Sequence, residues 1–164
     1  MDNSKNACCF SGHRDIAASE YSNIAYQTEL KVIDLIGQGF TNFYAGGALG
    51  FDTIATKAVI NAKRLFPHVK LALILPCKEQ DKKWKEPEKN QYKELLNKAD
   101  HVEFISENYT QDCMFQRNRR LVDSSSICLC YLNKNKGGTA FTVEYAKKQG
   151  VQIINIAEQE EWIR

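Results

Sequence analysis

The sequence predicts an α/β fold, three layers built around an open, mostly parallel sheet. Three observations carry the prediction. Apolar runs of strand length alternate along the chain with longer amphipathic stretches, the order that yields parallel strands joined by right-handed crossovers. Residues 69–75 are apolar but for Lys70 and show no alternation, as expected of a strand covered on both faces. Two glycine turns, at residues 46–52 and 136–139, each lie between an apolar run and an amphipathic one. Neither linker, internal repeat nor low-complexity segment interrupts the chain. A single domain over residues 1–164, with its core at about residues 7–156, is the expectation.

In chain order, residues 7–10 read as a short strand ending at Ser11-Gly12-His13-Arg14. Ile24, Leu30, Ile33, Leu35 and Ile36 mark a helix over residues 21–36, stopped by Gly37 and Gly39. Residues 41–45 form the second strand. Asp52 is placed to cap a helix that runs to about Leu65, and Pro67 ends it. The strand 69–75 closes at Pro76. Residues 77–98 are polar and dense in Lys and Glu around Trp84, Pro87 and Tyr92, with helix expected over 88–98. A strand at 101–105, a helix at 111–123 carrying Arg117, Asn118, Arg119 and Arg120, and an apolar strand at 126–132 follow. A helix over 139–149, closed by Gly150, and a last strand at 151–156 complete the alternation.

Bulk properties exclude several classes. The 164 residues are 43% hydrophobic and 26% charged, a composition that folds around a core in water. A formal net charge of +2 is too slight to argue for a nucleic-acid groove. No apolar run approaches the ~20 residues of a membrane helix, and the polar start Met1-Asp2-Asn3-Ser4-Lys5-Asn6 lacks a signal-peptide core. A cytoplasmic protein is expected. The six cysteines form no C-x-x-C, and His13, His68 and His101 have no zinc-finger spacing. Buried free thiols and no metal site are therefore expected.

Ligands of an open parallel sheet collect outside the carboxyl ends of its strands. Four segments fall there: Ser11-Gly12-His13-Arg14, the turn from Gly46, Gly47 and Gly50 to Phe51 and Asp52, the stretch from Pro76 to Gln80, and Lys136-Gly137-Gly138-Thr139. Glycine turns feeding helix N-termini bring backbone N–H groups to a phosphate. Arg14 or Arg117 would neutralise that phosphate, and Trp84 or Phe51 would stack on a base. The spacing is neither the dinucleotide G-x-G-x-x-G nor a P-loop, so an ordinary dehydrogenase and a P-loop enzyme are excluded.

Taken together, Ser11-Gly12-His13-Arg14, Gly46-Gly47-Ala48-Leu49-Gly50-Phe51-Asp52, Leu75-Pro76, Gln80 with Trp84-Lys85-Glu86-Pro87, Arg117-Asn118 and Gly137-Gly138-Thr139 resemble the YpsA-like branch of the SLOG superfamily. The resemblance covers about residues 8–156, and its most specific part is the segment from Gln80 to Pro87. It implies a Rossmann-like fold and a glycine-rich site for a nucleotide or nucleotide-derived molecule, with ADP-ribose or NAD as candidates and no further cofactor. The superfamily includes the LOG phosphoribohydrolases and the DNA-processing protein DprA. Set beside the LOG enzymes, Arg117 matches an anchoring arginine and Glu144 falls at the place of their acid. Asn118 replaces a usual lysine, Ala140 a glycine and Phe141 a threonine. The alternative is thus hydrolysis of an N-glycosidic bond, with Arg117 holding the 5′-phosphate and Glu144 or Asp52 supplying the carboxylate. The LOG resemblance also implies a homodimer. Basic and aromatic residues are not interleaved in the manner of a DprA-like nucleic-acid binder.

Overall fold

The structure, a computed structural model, describes residues 4–159. A turn of 3₁₀ helix, Ser4–Asn6, leads into β1 (Ala7–Gly12) and α1 (Ala18–Gly37). Then come β2 (Asn42–Ala45), α2 (Phe51–Leu65), β3 (Lys70–Cys77), α3 (Glu86–Lys98), β4 (His101–Ser106) and α4 (Cys113–Asp123). The described chain closes with β5 (Ile127–Tyr131), α5 (Gly138–Lys148), β6 (Gln152–Asn155) and the one-turn α6 (Ile156–Gln159). The strands form one sheet in the order β4-β3-β2-β1-β5-β6. Every pairing is parallel, so the sheet is parallel throughout rather than mostly so.

The period of two along each strand sorts side chains onto two faces. Cys8, Phe10, Phe43, Leu71, Leu73, Leu75 and Leu129 meet Ile24, Val32 and Leu35 of α1 and Ile54, Ala55 and Val59 of α2. Cys9, Ile74, Cys128 and Cys130 face the other way, onto Leu121 and Val122 of α4 and Val143 and Ala146 of α5. That is the three-layer arrangement. All six cysteines are buried free thiols. Burial drives the Cys8 thiol well above its ordinary pKa, and a hydrogen bond with the Cys9 thiol, with burial, does the same to Cys128, so they stay protonated core fillers.

The sheet reverses winding direction between β1 and β5. From β1 the chain steps through β2 and β3 to β4; from β5 it steps outward to β6. The carboxyl ends of β1 and β5 therefore flank the crevice in which such sheets hold ligands.

Two local expectations change. Leu30 and Ile33 are 45% and 36% exposed, because α1 turns Ile24, Val32, Leu35 and Ile36 to the sheet instead. Asp52 does not cap α2; the N-cap is Gly50, and Asp52 lies inside the first turn. Its Oδ2 accepts the backbone N–H of Ala48 at 3.2 Å, which closes the turn preceding the helix. Among the described residues, no helix is long and apolar enough to cross a membrane.

Candidate functional site

The loops after β1 and β2 are locked together. Gly50 has φ +79°, and a Cβ there would lie 2.1 Å from the carbonyl oxygen of Arg14. Only glycine admits both that backbone conformation and that approach. The Phe51 N–H donates to the His13 carbonyl at 3.1 Å. Phe51 itself is fully buried and stacks on Tyr131 with ring centroids 6.2 Å apart. It is core, and cannot stack on a bound base. Gly12 packs against that ring. Much of the glycine content of these turns thus serves chain-to-chain contact.

Beneath the turn lies a charged pair of opposite sign. Arg117, 4% exposed, reaches from α4 under the sheet's rim and donates from Nη1 to the Gly46 carbonyl. Its Nε donates to Asn118 Oδ1 at 2.8 Å. Asp52 is 7% exposed, and burial lifts its carboxyl to a pKa of about 6 against the pull of Arg117 and the Ala48 N–H. A Cβ on Gly46 would sit 2.7 Å from Arg117 Nη1 and 2.9 Å from Asp52 Oδ2. The two charged groups therefore both crowd Gly46, leaving no room for a side chain there.

Above the rim is a cleft of about 660 Å³ lined by Arg14, Ala48, Pro76, Cys77, Glu79, Gln80, Lys82, Lys83, Trp84, Tyr109 and Met114. That volume is in the range of small-molecule sites. Trp84 is half-buried, its ring edge-on to Tyr92 with centroids 5.0 Å apart, and the Arg14 guanidinium lies 5.9 Å from the Trp84 ring centroid. Gln80 donates from Nε2 to the Gly47 carbonyl at 3.3 Å and to the Tyr92 hydroxyl at 3.1 Å. Burial raises the Tyr92 phenol to about 12, so it remains neutral. A second groove, of about 540 Å³, lies on the other side of Arg14 at the β1/β5 crevice, with Glu20, Tyr131, Asn133 and Lys134 in its wall. His13 stands between the two strand ends, and its Nε2 accepts the Asn133 N–H at 3.1 Å. Burial, assisted by Lys134, lowers the His13 pKa and keeps this nitrogen an acceptor.

The structure thus brings Arg14, Pro76, Gln80 and Trp84 together beside the first glycine turn. It sets other expected site residues apart. Gly137 and Gly138 are exposed, with nothing within 4 Å of a Cβ built on either, and Thr139 is buried beneath them. None of the three lines a groove that Arg14 shares. Glu144 is exposed on α5, while Arg117 is buried under Gly46. Among the described residues no cluster of three or more His, Cys, Asp or Glu side chains is arranged to hold a metal ion. Sequence reading missed the second groove's Glu20, Tyr131 and Asn133. For Tyr131 and Asn133 the signal was position: Tyr131 ends the strand that pairs with β1, and Asn133 lies two residues beyond it.

The model of the YpsA family, described as a SLOG family, matches residues 11–158. The chain belongs to this family. An uncharacterized SPbeta prophage-derived protein of Bacillus subtilis (strain 168), YoqJ, is 34% identical over 118 residues, 65% of this chain and 69% of that protein. A UPF0398 protein of Halalkalibacterium halodurans is 32% identical over 127 residues, covering 76% of this chain and 67% of its own. Among solved structures, the YpsA-family fold matches DNA processing protein A (DprA) of Streptococcus pneumoniae with a TM-score of 0.66 at 17% identity. The match covers 92% of this chain and 50% of that one. DprA of Helicobacter pylori, whose structure concerns single-stranded DNA binding, matches with a TM-score of 0.64 at 15% identity, over 92% of this chain and 65% of that one. At such identities the likeness establishes the shared fold. This chain spans half of the pneumococcal protein and under two thirds of the other.

Proposed function

We propose that this YpsA-family protein binds a nucleotide or nucleotide-derived small molecule, with ADP-ribose and NAD as candidates, at the carboxyl rim of its sheet. The observation that carries this reading is the lining of the 660 Å³ cleft, which includes an arginine, a tryptophan and Ala48 of the glycine turn. Arg14 supplies charge for a phosphate and Trp84 a surface for a base. Thermal melting and calorimetry with AMP, NAD and ADP-ribose test it. Stabilisation that is lost in Arg14→Ala and Trp84→Ala is expected. If none of the three shifts the melting curve at millimolar concentration, the reading fails.

The alternative, hydrolysis of a nucleoside monophosphate at its N-glycosidic bond, has less support. Arg117 is engaged with the Gly46 carbonyl, and Glu144 is exposed. Free base released from AMP by the protein, and not by Glu144→Gln, would restore it.

A second binding reading is favoured by a specific observation. The fold gathers Arg14, Lys82 and Lys83 with Trp84 and Tyr109 around one cleft, the mixture of cations and aromatic faces that single-stranded nucleic acid uses. That grouping is invisible in the linear order, from which nucleic acid was not expected. The DprA likeness adds to it. Salt-dependent affinity for a short single-stranded oligonucleotide tests it. A homodimer is also part of the proposal: Tyr26, Leu30 and Ile33 form an exposed apolar stripe along α1, and gel filtration with light scattering reads the mass.

A further inference from the structure

Among the described residues, one buried side-chain polar atom lacks a hydrogen-bond partner: Oε1 of Gln80. Native interiors pair such atoms, and an unpaired one asks for an explanation. The rest of this amide is well engaged. Nε2 donates to both the Gly47 carbonyl and the Tyr92 hydroxyl. Exchanging the amide's oxygen and nitrogen does not remove the anomaly. The oxygen would then face the Gly47 carbonyl, acceptor against acceptor, and the nitrogen's donors would take over the unpaired position. The observed orientation is the better one, and it leaves an acceptor waiting for a donor.

Gln80 lines the 660 Å³ cleft, four residues before Trp84. A chain of contacts joins them: the amide bonds to the Tyr92 hydroxyl, and the Tyr92 ring stands edge-on to Trp84 at 5.0 Å. The last torsion of a glutamine is soft, and both bonds that restrain it are ordinary or long, at 3.1 and 3.3 Å. Oε1 is buried in the free protein, and turning it to the cleft requires rotation about this torsion.

We propose that Gln80 is the base-reading residue of the site, its Oε1 accepting a hydrogen bond from an exocyclic amino group, so that the ligand carries an aminated base such as adenine. This rests on the nucleotide-binding reading above and sharpens it. An analogue lacking the donor leaves this acceptor as unpaired as it is in the free protein and forgoes the hydrogen bond, so it binds less tightly. Gln80 also couples occupancy to structure, since its Nε2 holds the Gly47 turn and Tyr92 of α3.

Calorimetry with AMP and with purine riboside 5′-monophosphate, identical but for the 6-amino group, tests the proposal on the unaltered protein. AMP is expected to bind at least about tenfold more tightly, or about 1.4 kcal/mol. In Gln80→Met, checked for folding by its melting curve, the ratio is expected to fall to about one, whatever happens to the absolute affinities. Equal affinity of the unaltered protein for the two nucleotides overturns the role of Gln80 while leaving the binding site in place. A preference that persists in Gln80→Met overturns it too. Binding of neither overturns this inference; the nucleotide reading itself fails only if NAD and ADP-ribose are without effect too.

Discussion

Asp52 offers the sharpest quantitative test of how the glycine turn is held. Its carboxyl is lifted from 3.8 to about 6, chiefly by burial. A folded-state pKa above the unfolded one means that the protonated form favours the fold. The contribution is fully present below about pH 3.8, is lost progressively as pH rises toward 6, and is absent above that. About two pH units at 1.36 kcal/mol each make the ionised carboxylate a burden of about 3 kcal/mol at pH 8. Asn in its place stays neutral, and its side-chain oxygen still accepts the Ala48 N–H. Asp52→Asn is therefore expected to be more stable than the unaltered protein by about 3 kcal/mol at pH 8, or roughly 6–12 °C in melting temperature. The two proteins are expected to converge near pH 4. Urea titrations at half-unit pH intervals measure the difference. Parallel stability profiles for the two proteins between pH 4 and 8 would refute the reasoning. They would mean that Arg117 compensates the buried carboxylate fully, making the two an ion pair in effect.

Other expectations follow from the same geometry. Arg117→Ala removes the donor to the Gly46 carbonyl and leaves Asp52 without its counter-charge, so the ligand-free protein is expected to lose about 3 kcal/mol in urea denaturation; an unchanged midpoint would show that Arg117 does not hold the turn. Gly138 has nothing within 4 Å of an added Cβ and an ordinary φ, so Gly138→Ala is expected to melt no lower than the unaltered protein. If it nonetheless weakens nucleotide binding by tenfold or more, the start of α5 touches the ligand; full affinity shows that this turn stands outside the site. Gly47→Val is expected to unfold the rim. Gly47 has φ +71°, and a Cβ there would lie 2.3 Å from Leu75 Cδ2. A normal melting temperature for Gly47→Val would contradict that geometry.

The elements were legible because their signals are local. The apolar run at residues 69–75 and the Pro76 that follows it mark β3 without reference to any neighbour. Glycine turns mark the starts of α2 and α5 in the same way. Which side of α1 faces inward was less legible, since Leu30 and Ile33 are as apolar as Leu35. The choice depends on the sheet and α2, against which α1 packs. The site was legible in its parts, Arg14, Gln80 and Trp84, and not in its arrangement. Phe51 and Trp84 are equivalent as stacking residues on paper. The structure buries one against Tyr131 and leaves the other at the cleft.

Alternating hydrophobicity and turn chemistry were enough to specify a parallel α/β sheet with a ligand-prone carboxyl rim, because each acts over a few residues. The roles of the charged and glycine residues at that rim belong to the tertiary structure. Arg117 lies 71 residues from Gly46 along the chain, and nothing in either segment announces that they touch. Only folding reveals that the Arg14 carbonyl rests against Gly50, that Asp52 is buried enough to resist ionisation, and that Glu144 points to solvent. Burial, close approach and the direction of a long side chain are sums over distant neighbours. They are decided when the layers pack.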